Sequence, residues 1–262
     1  MKNYLILILV LTASVSVKAQ QMEVAVTSGD FYEINIYRLN SKAQELCMDK
    51  FLKEAYIPAL HRVGIKKVGV FKPIESDTVS GNIIILWIPF NFLEQFEELP
   101  RILQKDDKYL ADGKDYIDAA YDNPPYTNIE STLLKAFSKM PQFEVPKLSS
   151  SPAERIYELR SYQSATEKLF HLKVEMFNEG GEVELFKKLD FNPLFFAEVI
   201  SGSTMPNLMY MTTFSDMTSH DEHWNSFRNH PDWKTISALA KYKNTVSRAV
   251  IYLLHPTNYS DI

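Results

Sequence analysis

Three polar residues on alternate positions, Glu158, Arg160 and Tyr162 in the stretch YELRSYQ, have the chemistry to hold a small molecule and act on it. A carboxylate offers a base or an acceptor, a guanidinium offers a fork for an anion, and a phenol offers a hydrogen-bonding wall. Side chains alternate along a strand, so these three share one face while Tyr157 and Leu159 share the other. An earlier stretch, FYEINIY, repeats the arrangement with Glu33, Asn35 and Tyr37 opposite Tyr32, Ile34 and Ile36. The more apolar face is expected to lie under helices, leaving the polar face to line a space between two sheets. There Glu33, Tyr37, Glu158, Arg160 and Tyr162 would bind a ligand. The competing expectation is that Glu158 and Arg160 simply join the two halves, because buried charges are tolerated when paired.

The run His230-Pro231-Asp232-Trp233 is a second constellation. An imidazole at a helix N-terminus stays neutral beside the positive end of the helix, which makes His230, with Glu158, a candidate catalytic base. Helix punctuation explains the same four residues. Pro231 suits a first turn, Asn229 or His230 can cap it, Asp232 opposes the dipole, and Trp233 turns inward with Ile236 and Leu239. His220, Asp221, His223 and His230 are all potential metal ligands, but their spacing fixes no complete set, so no metal is assigned. No phosphate-cradling glycine loop, G-x-S-x-G elbow, C-x-x-C or dinucleotide fingerprint is present, and no cofactor is expected. The aromatic-rich runs NIIILWIPF, PLFFAEVI and NLMYMTTF supply Trp87, Phe196 and Tyr210 as expected apolar walls of a cavity between the halves.

The elements that must position these residues occur twice. Tyr32-Glu33 and Tyr157-Glu158 stand 125 residues apart, as do Asn82 and Asn207. Each opening strand is followed by a capping-box spacing, Ser41 with Gln44 and Ser164 with Glu167. Helices with apolar stripes follow, Cys47, Phe51, Ala55 and Ala59 in one half and Ala165, Leu169, Leu172 and Met176 in the other. They end at Gly64 and at Gly180-Gly181. Two further strands, a helical region and a last strand complete β-α-β-β-α-β in each half, the ferredoxin-like order. The expected fold is therefore α+β, two tandem ferredoxin-like units packed sheet to sheet as an internal pseudo-dimeric α/β barrel. The units are expected at 30–140 and 154–262, joined by a Pro- and Ser-rich linker at 141–153.

The first 19 residues, with Lys2, an apolar run and Val17-Lys18-Ala19, read as a signal peptide, so an exported protein, periplasmic or extracellular, is expected. That run is too short to span a bilayer, which takes about 20 apolar residues. The chain holds 28 basic and 33 acidic residues, and losing Lys2 and Lys18 with the leader brings the net charge near −7. Nucleic acid and anionic membranes are poor partners for that balance. Cys47 is the single cysteine, read as a small buried hydrophobe.

The motifs YELRSY and HWNSFRNHPDW resemble the NIPSNAP family of the dimeric α/β-barrel superfamily. The resemblance covers residues 155–262 best. The first half departs from it, with YEINIY at the strand and LADGKDY where the family has its histidine-proline pair. It implies a barrel normally built from two chains, here a monomeric pseudo-dimer or a homodimer. It also implies a superfamily that includes metal-free oxygenases, haem-handling enzymes and isomerases, in which the NIPSNAP branch is described through interaction and trafficking. The expected function is binding of a small apolar or amphipathic ligand, or of a protein partner, rather than catalysis. The alternative is a cofactor-independent oxygenase or isomerase acting in the intersheet cavity, with Glu158 or His230 as base and Arg160 holding an anionic substrate.

Overall fold

A computed structural model describes residues 29–75 and 81–262, and the leader read in residues 1–19 lies outside them. The first half runs β1 (Phe31–Arg38), α1 (Lys42–Phe51), a π-helical turn (Leu52–Tyr56), α2 (Ile57–Arg62), β2 (Gly69–Pro73), β3 (Ile83–Phe90), α3 (Leu93–Leu103), α4 (Asp107–Asp112), α5 (Lys114–Ile117) and β4 (Asn128–Ala136). The second runs β5 (Ile156–Gln163), α6 (Glu167–Asn178), α7 (Glu182–Lys188), β6 (Phe195–Ser201), β7 (Asn207–Phe214), α8 (Met217–Asn229), α9 (Pro231–Ala238), a 3-10 turn (Ala240–Tyr242) and β8 (Arg248–Pro256). Both halves have the βαββαβ order, and the eight strands close into one antiparallel barrel, β1-β3-β2-β8-β5-β7-β6-β4.

The two sheets are joined by hydrogen bonds at both edges as well as by their inner faces. Phe71 pairs with Pro256 and Pro73 with Leu254 at one seam, while Leu134 pairs with Val199 and Ala136 with Ala197 at the other. Each seam joins the second strand of one unit to the fourth of the other, as an approximate two-fold axis within the chain requires. Closure leaves no unpaired strand edge among the described residues, the exposed feature that invites aggregation in open sheets.

Closure also decides which strand face goes inward, and it reverses the expected assignment. Tyr32, Ile34 and Ile36 of β1, and Tyr157 and Leu159 of β5, point into the barrel, not under the helices. The interior of an eight-stranded barrel is just wide enough for side chains to fill it, so it selects the apolar faces. Trp87, expected to wall a cavity, is instead part of that filling. Its ring lies 5.4 Å from Tyr32, 6.0 Å from Phe195 and 5.2 Å from Phe143, which reaches in from the 141–153 segment. Small recesses border the filled interior, one of about 170 Å3 beside Ile36, Met209 and Tyr252 and one of about 210 Å3 beside Tyr157 and Ile262. Two further cores lie outside the barrel, one between each sheet and its own helices.

The first helix starts and stops as its sequence predicts. Ser41 Oγ accepts from the Gln44 backbone N–H at 3.2 Å, the Gln44 side chain accepts from the Asn40 N–H at 2.8 Å, and Gly64 sits at φ +95° beyond the end. The second copy differs. Thr166 caps α6, and Ser164 donates to the Thr245 carbonyl at 2.7 Å instead. The buried stripe of α6 is Phe170, Lys173, Met176 and Phe177, not the one that includes Ala165, Leu169 and Leu172. A lysine inside the stripe disguised the true face. Cys47 is half-buried rather than buried.

Candidate functional site

Glu158 lies at the middle of β5 on the outer face, under α8, with 1% of its surface exposed. Its Oε1 accepts two hydrogen bonds from Arg160, from Nε at 2.9 Å and Nη2 at 2.7 Å. Its Oε2 accepts from the Trp224 indole N–H at 2.7 Å. His220 Nε2, from the first turn of α8, stands 3.5 Å from Oε1, an ion-pair separation rather than a short hydrogen bond. Burial pushes the Glu158 carboxyl up, but His220 and Arg160 outweigh it and hold the group below its ordinary range. Burial pushes His220 down, and here too the partners prevail: Glu158 and Asp221 hold the imidazole above its ordinary value.

The row continues along the strand. The Arg160 guanidinium lies over the Trp224 ring, its Cζ 3.7 Å from the centroid, and Nη1 donates to the Tyr162 hydroxyl at 2.9 Å. Tyr162 in turn shares a hydrogen bond with the Tyr210 hydroxyl at 3.0 Å, Tyr210 being the cross-strand partner of Arg160 on β7. Phe196 stacks behind Tyr210 with 5.4 Å between ring centroids and supports it from the next strand. Opposite, α6 and α7 contribute a buried ion pair, Lys173 Nζ to Glu182 Oε2 at 2.8 Å. Burial raises the Glu182 carboxyl, and Lys173 offsets this only in part.

These groups border a cleft of about 610 Å3 between the second sheet and its helices. Arg160, Tyr162 and Tyr210 form its floor, Trp224, Phe227 and Trp233 its apolar wall, and Arg228 and Lys243 its rim. Neither Glu158 nor His230 lines it. His230 caps α9, its Nδ1 accepting the Asp232 backbone N–H at 3.1 Å, with Pro231 in the first turn and Asp232 paired to Lys188 at 2.8 Å. Trp233 packs on Phe227, 4.7 Å between centroids. The other histidines of the run are engaged locally: His220 Nδ1 lies 2.8 Å from Asp221 and His223 Nδ1 lies 2.6 Å from the Ser219 carbonyl. His230→Ala is therefore expected to lower stability by about 1 kcal/mol, the ordinary worth of a cap, and to weaken ligand binding at the cleft only modestly, through the helix that carries Trp233. Urea unfolding alongside a binding titration checks both parts.

The first unit has a separate cleft of its own, also about 610 Å3, and it holds Glu33 and Tyr37. The pattern of β1 therefore did not join that of β5 in one cavity. Asn35 stands where β5 has Arg160, and Glu33 accepts from the Ser131 hydroxyl at 2.9 Å. Of the nine residues singled out in sequence, Glu158, Arg160, Tyr162, Phe196 and Tyr210 come together. Glu33 and Tyr37 form a second group, Trp87 is inside the barrel, and His230 is a helix cap. Sequence reasoning missed Lys173, Glu182 and the role of Trp224. The readable signal was a lysine three residues from Phe170 and four from Phe177 on a helix, a position that buries charge only when it is paired.

A closed barrel of two βαββαβ units with helices outside it is the architecture of dimeric α/β-barrel proteins, here completed within one chain. Residues 157–261, which hold the Glu158 row and its cleft, match the family model described as NIPSNAP. No curated protein matches the sequence significantly. Among solved structures, a candidate monooxygenase from Fusobacterium nucleatum is similar with a TM-score of 0.58 at 10% identity, over 88% of this chain and 93% of that one. A second candidate monooxygenase, from Lactobacillus acidophilus, gives 0.56 at 9% identity over 87% and 94%. An anthrone oxidase-like protein gives 0.51 at 7% identity over 88% and 92%. At these identities the likeness is one of fold.

Proposed function

We propose that the second unit binds a small amphipathic molecule, apolar body inward and anionic group toward Arg160, in the cleft between its sheet and helices. The observation that carries this reading is the make-up of the lining. Arg160, Lys173, Arg228 and Lys243 face one carboxylate, Glu182, across walls that are mostly aromatic or apolar, with Ser237, Asn244 and Thr245 as the uncharged polar residues. A guanidinium has five N–H donors. Glu158 and Tyr162 engage three of them, and those bonds together with the Trp224 ring beneath fix the group that carries the remaining two. Such a floor is pre-organised for an anion, with little entropy left to lose on binding.

The catalytic alternative is weaker on the same geometry. Glu158 is a carboxylate held by three donated hydrogen bonds and kept below its usual range, so it is a poor proton acceptor, and it does not open to the cleft. His230 already accepts a backbone N–H. Both act by positioning: Glu158 sets Arg160, and His230 sets the helix that carries Trp233.

The reading is tested by titrating the chain with 2-naphthalenesulfonate and following fluorescence from Trp224 and Trp233. The double variant Arg228→Gln/Lys243→Gln is expected to bind this probe roughly three- to thirtyfold more weakly, with a reduced salt dependence, since two exposed rim charges each contribute about 0.3–1 kcal/mol. An unchanged affinity, or quenching that is insensitive to salt, would argue against an anion-selecting cleft. Native mass spectrometry of the protein from its own source then identifies any retained molecule.

A further inference from the structure

The two clefts occupy equivalent places in the two units and carry opposite charge. The first is lined by Glu33 and Glu97, by Tyr37, Tyr56, Tyr109 and Tyr116, and by no lysine or arginine. Asn35 in place of arginine is one source of the difference, together with the lack of any counterpart to Lys173, Arg228 and Lys243 in the lining: Glu33 stands without the partner that neutralises Glu158. Burial raises the Glu33 carboxyl above its ordinary range, and the Ser131 hydroxyl and the Asn35 side chain, neither of them cationic, offset this only in part, so a cation placed beside it would be stabilising.

The wall beside it is aromatic. The Phe51 ring stacks on Tyr116 at 3.7 Å and 7°, and lies 5.6 Å from Tyr56 and 6.0 Å from Tyr109. Tyr56 owes its place to the π-helical turn Leu52–Tyr56. A π-turn widens a helix by one residue per turn at a cost, and such turns concentrate at functional sites. The equivalent helix of the second unit, α6, has no such turn.

We propose that this first cleft is a second ligand site, taking a small organic cation whose alkylammonium head lies against the Tyr56, Tyr109 and Tyr116 rings and pairs with Glu33. Ring faces carry partial negative charge and attract such a head, and they do so most strongly when water is excluded. A hard metal ion fits poorly, because it needs several oxygen ligands and the described residues hold no group of three or more carboxylate, histidine or cysteine ligands. The site is independent of the anion reading of the second cleft and can stand or fall without it.

The experiment is a calorimetric titration of the full chain with choline and with 3,3-dimethylbutan-1-ol, its uncharged isostere. Choline is expected to saturate one site and to bind about tenfold or more tighter than the alcohol, the range a desolvated cation gains from rings plus a carboxylate. Glu33→Gln is expected to weaken choline by about tenfold while the thermal midpoint and naphthalenesulfonate binding stay as in the parent. Tyr109→Leu, on a half-buried ring, gives a second variant that tests the wall separately. Equal binding of choline and the alcohol would reduce the cleft to an apolar recess. Choline binding unaltered by Glu33→Gln, or no saturation by ~50 mM, would overturn the proposal outright.

Discussion

Lys173→Met is expected to destabilise the protein by about 3–5 kcal/mol, because it leaves the Glu182 carboxylate buried without its partner. The pair is 6% and 4% exposed at its two side chains, and no described cation other than Arg160 acts on Glu182. Burial already raises Glu182, and removing Lys173 raises it further, so the orphaned carboxyl escapes the penalty by taking up a proton. The loss in the variant is therefore expected to be larger at pH 8 than at pH 5. The double variant Lys173→Met/Glu182→Leu should recover most of the stability, since Met176, Phe177 and Trp233 beside the pair are apolar and Arg160 keeps its own partner, Glu158. Urea unfolding of the parent and the two variants decides it. A single variant within about 1 kcal/mol of the parent would mean that the pair is more solvated than its burial indicates.

The second large effect is expected at Glu158. Glu158→Gln keeps the volume and one acceptor for Trp224, but it places an amide where Arg160 requires a full negative charge. A loss of about 2–4 kcal/mol follows from leaving a buried guanidinium without its counter-charge. Arg160 should also leave the Trp224 ring, changing the tryptophan emission and weakening naphthalenesulfonate binding together. If Glu158 were instead the base of a reaction, its replacement would abolish turnover with stability and affinity intact, a different signature.

The same cluster sets a pH dependence. Glu158 is depressed below its ordinary 4.5, so its contribution is complete above that value and is lost as the pH falls through its folded-state pKa. His220 is raised above its ordinary 6.5, so its contribution is complete below that value and is lost as the pH rises through its folded-state pKa. Both contributions are present between about pH 4.5 and 6.5, where stability from this cluster should peak. His220→Gln is expected to flatten the alkaline side of that profile and also to weaken the acid side, because His220 is among the groups that hold Glu158 down.

Much of the fold was legible because it rests on local patterns. The repeat at an offset of 125, alternation along β1 and β5, the Ser41 cap and the Gly64 stop gave the element order directly. The His230 run was legible as punctuation for the same reason: cap, proline and acid act within one turn. The site was less legible. Tyr157 and Glu158 are neighbours in sequence, yet which of them faces solvent, helix or barrel is set by how eight strands close.

The sequence by itself determined two βαββαβ units, the polar row Glu158-Arg160-Tyr162 and its altered counterpart Glu33-Asn35-Tyr37, because alternation and capping depend on residues a few positions apart. Only the tertiary structure decided that both polar rows face outward, with Arg160 and Tyr162 in one cleft and Glu33 and Tyr37 in another, and that Lys173 and Glu182 are buried as a pair. The physical reason is the barrel's limited interior: once closed, it has room for Tyr32, Trp87, Tyr157 and Phe195 and none for solvated charge, so the charged faces turn to the helices.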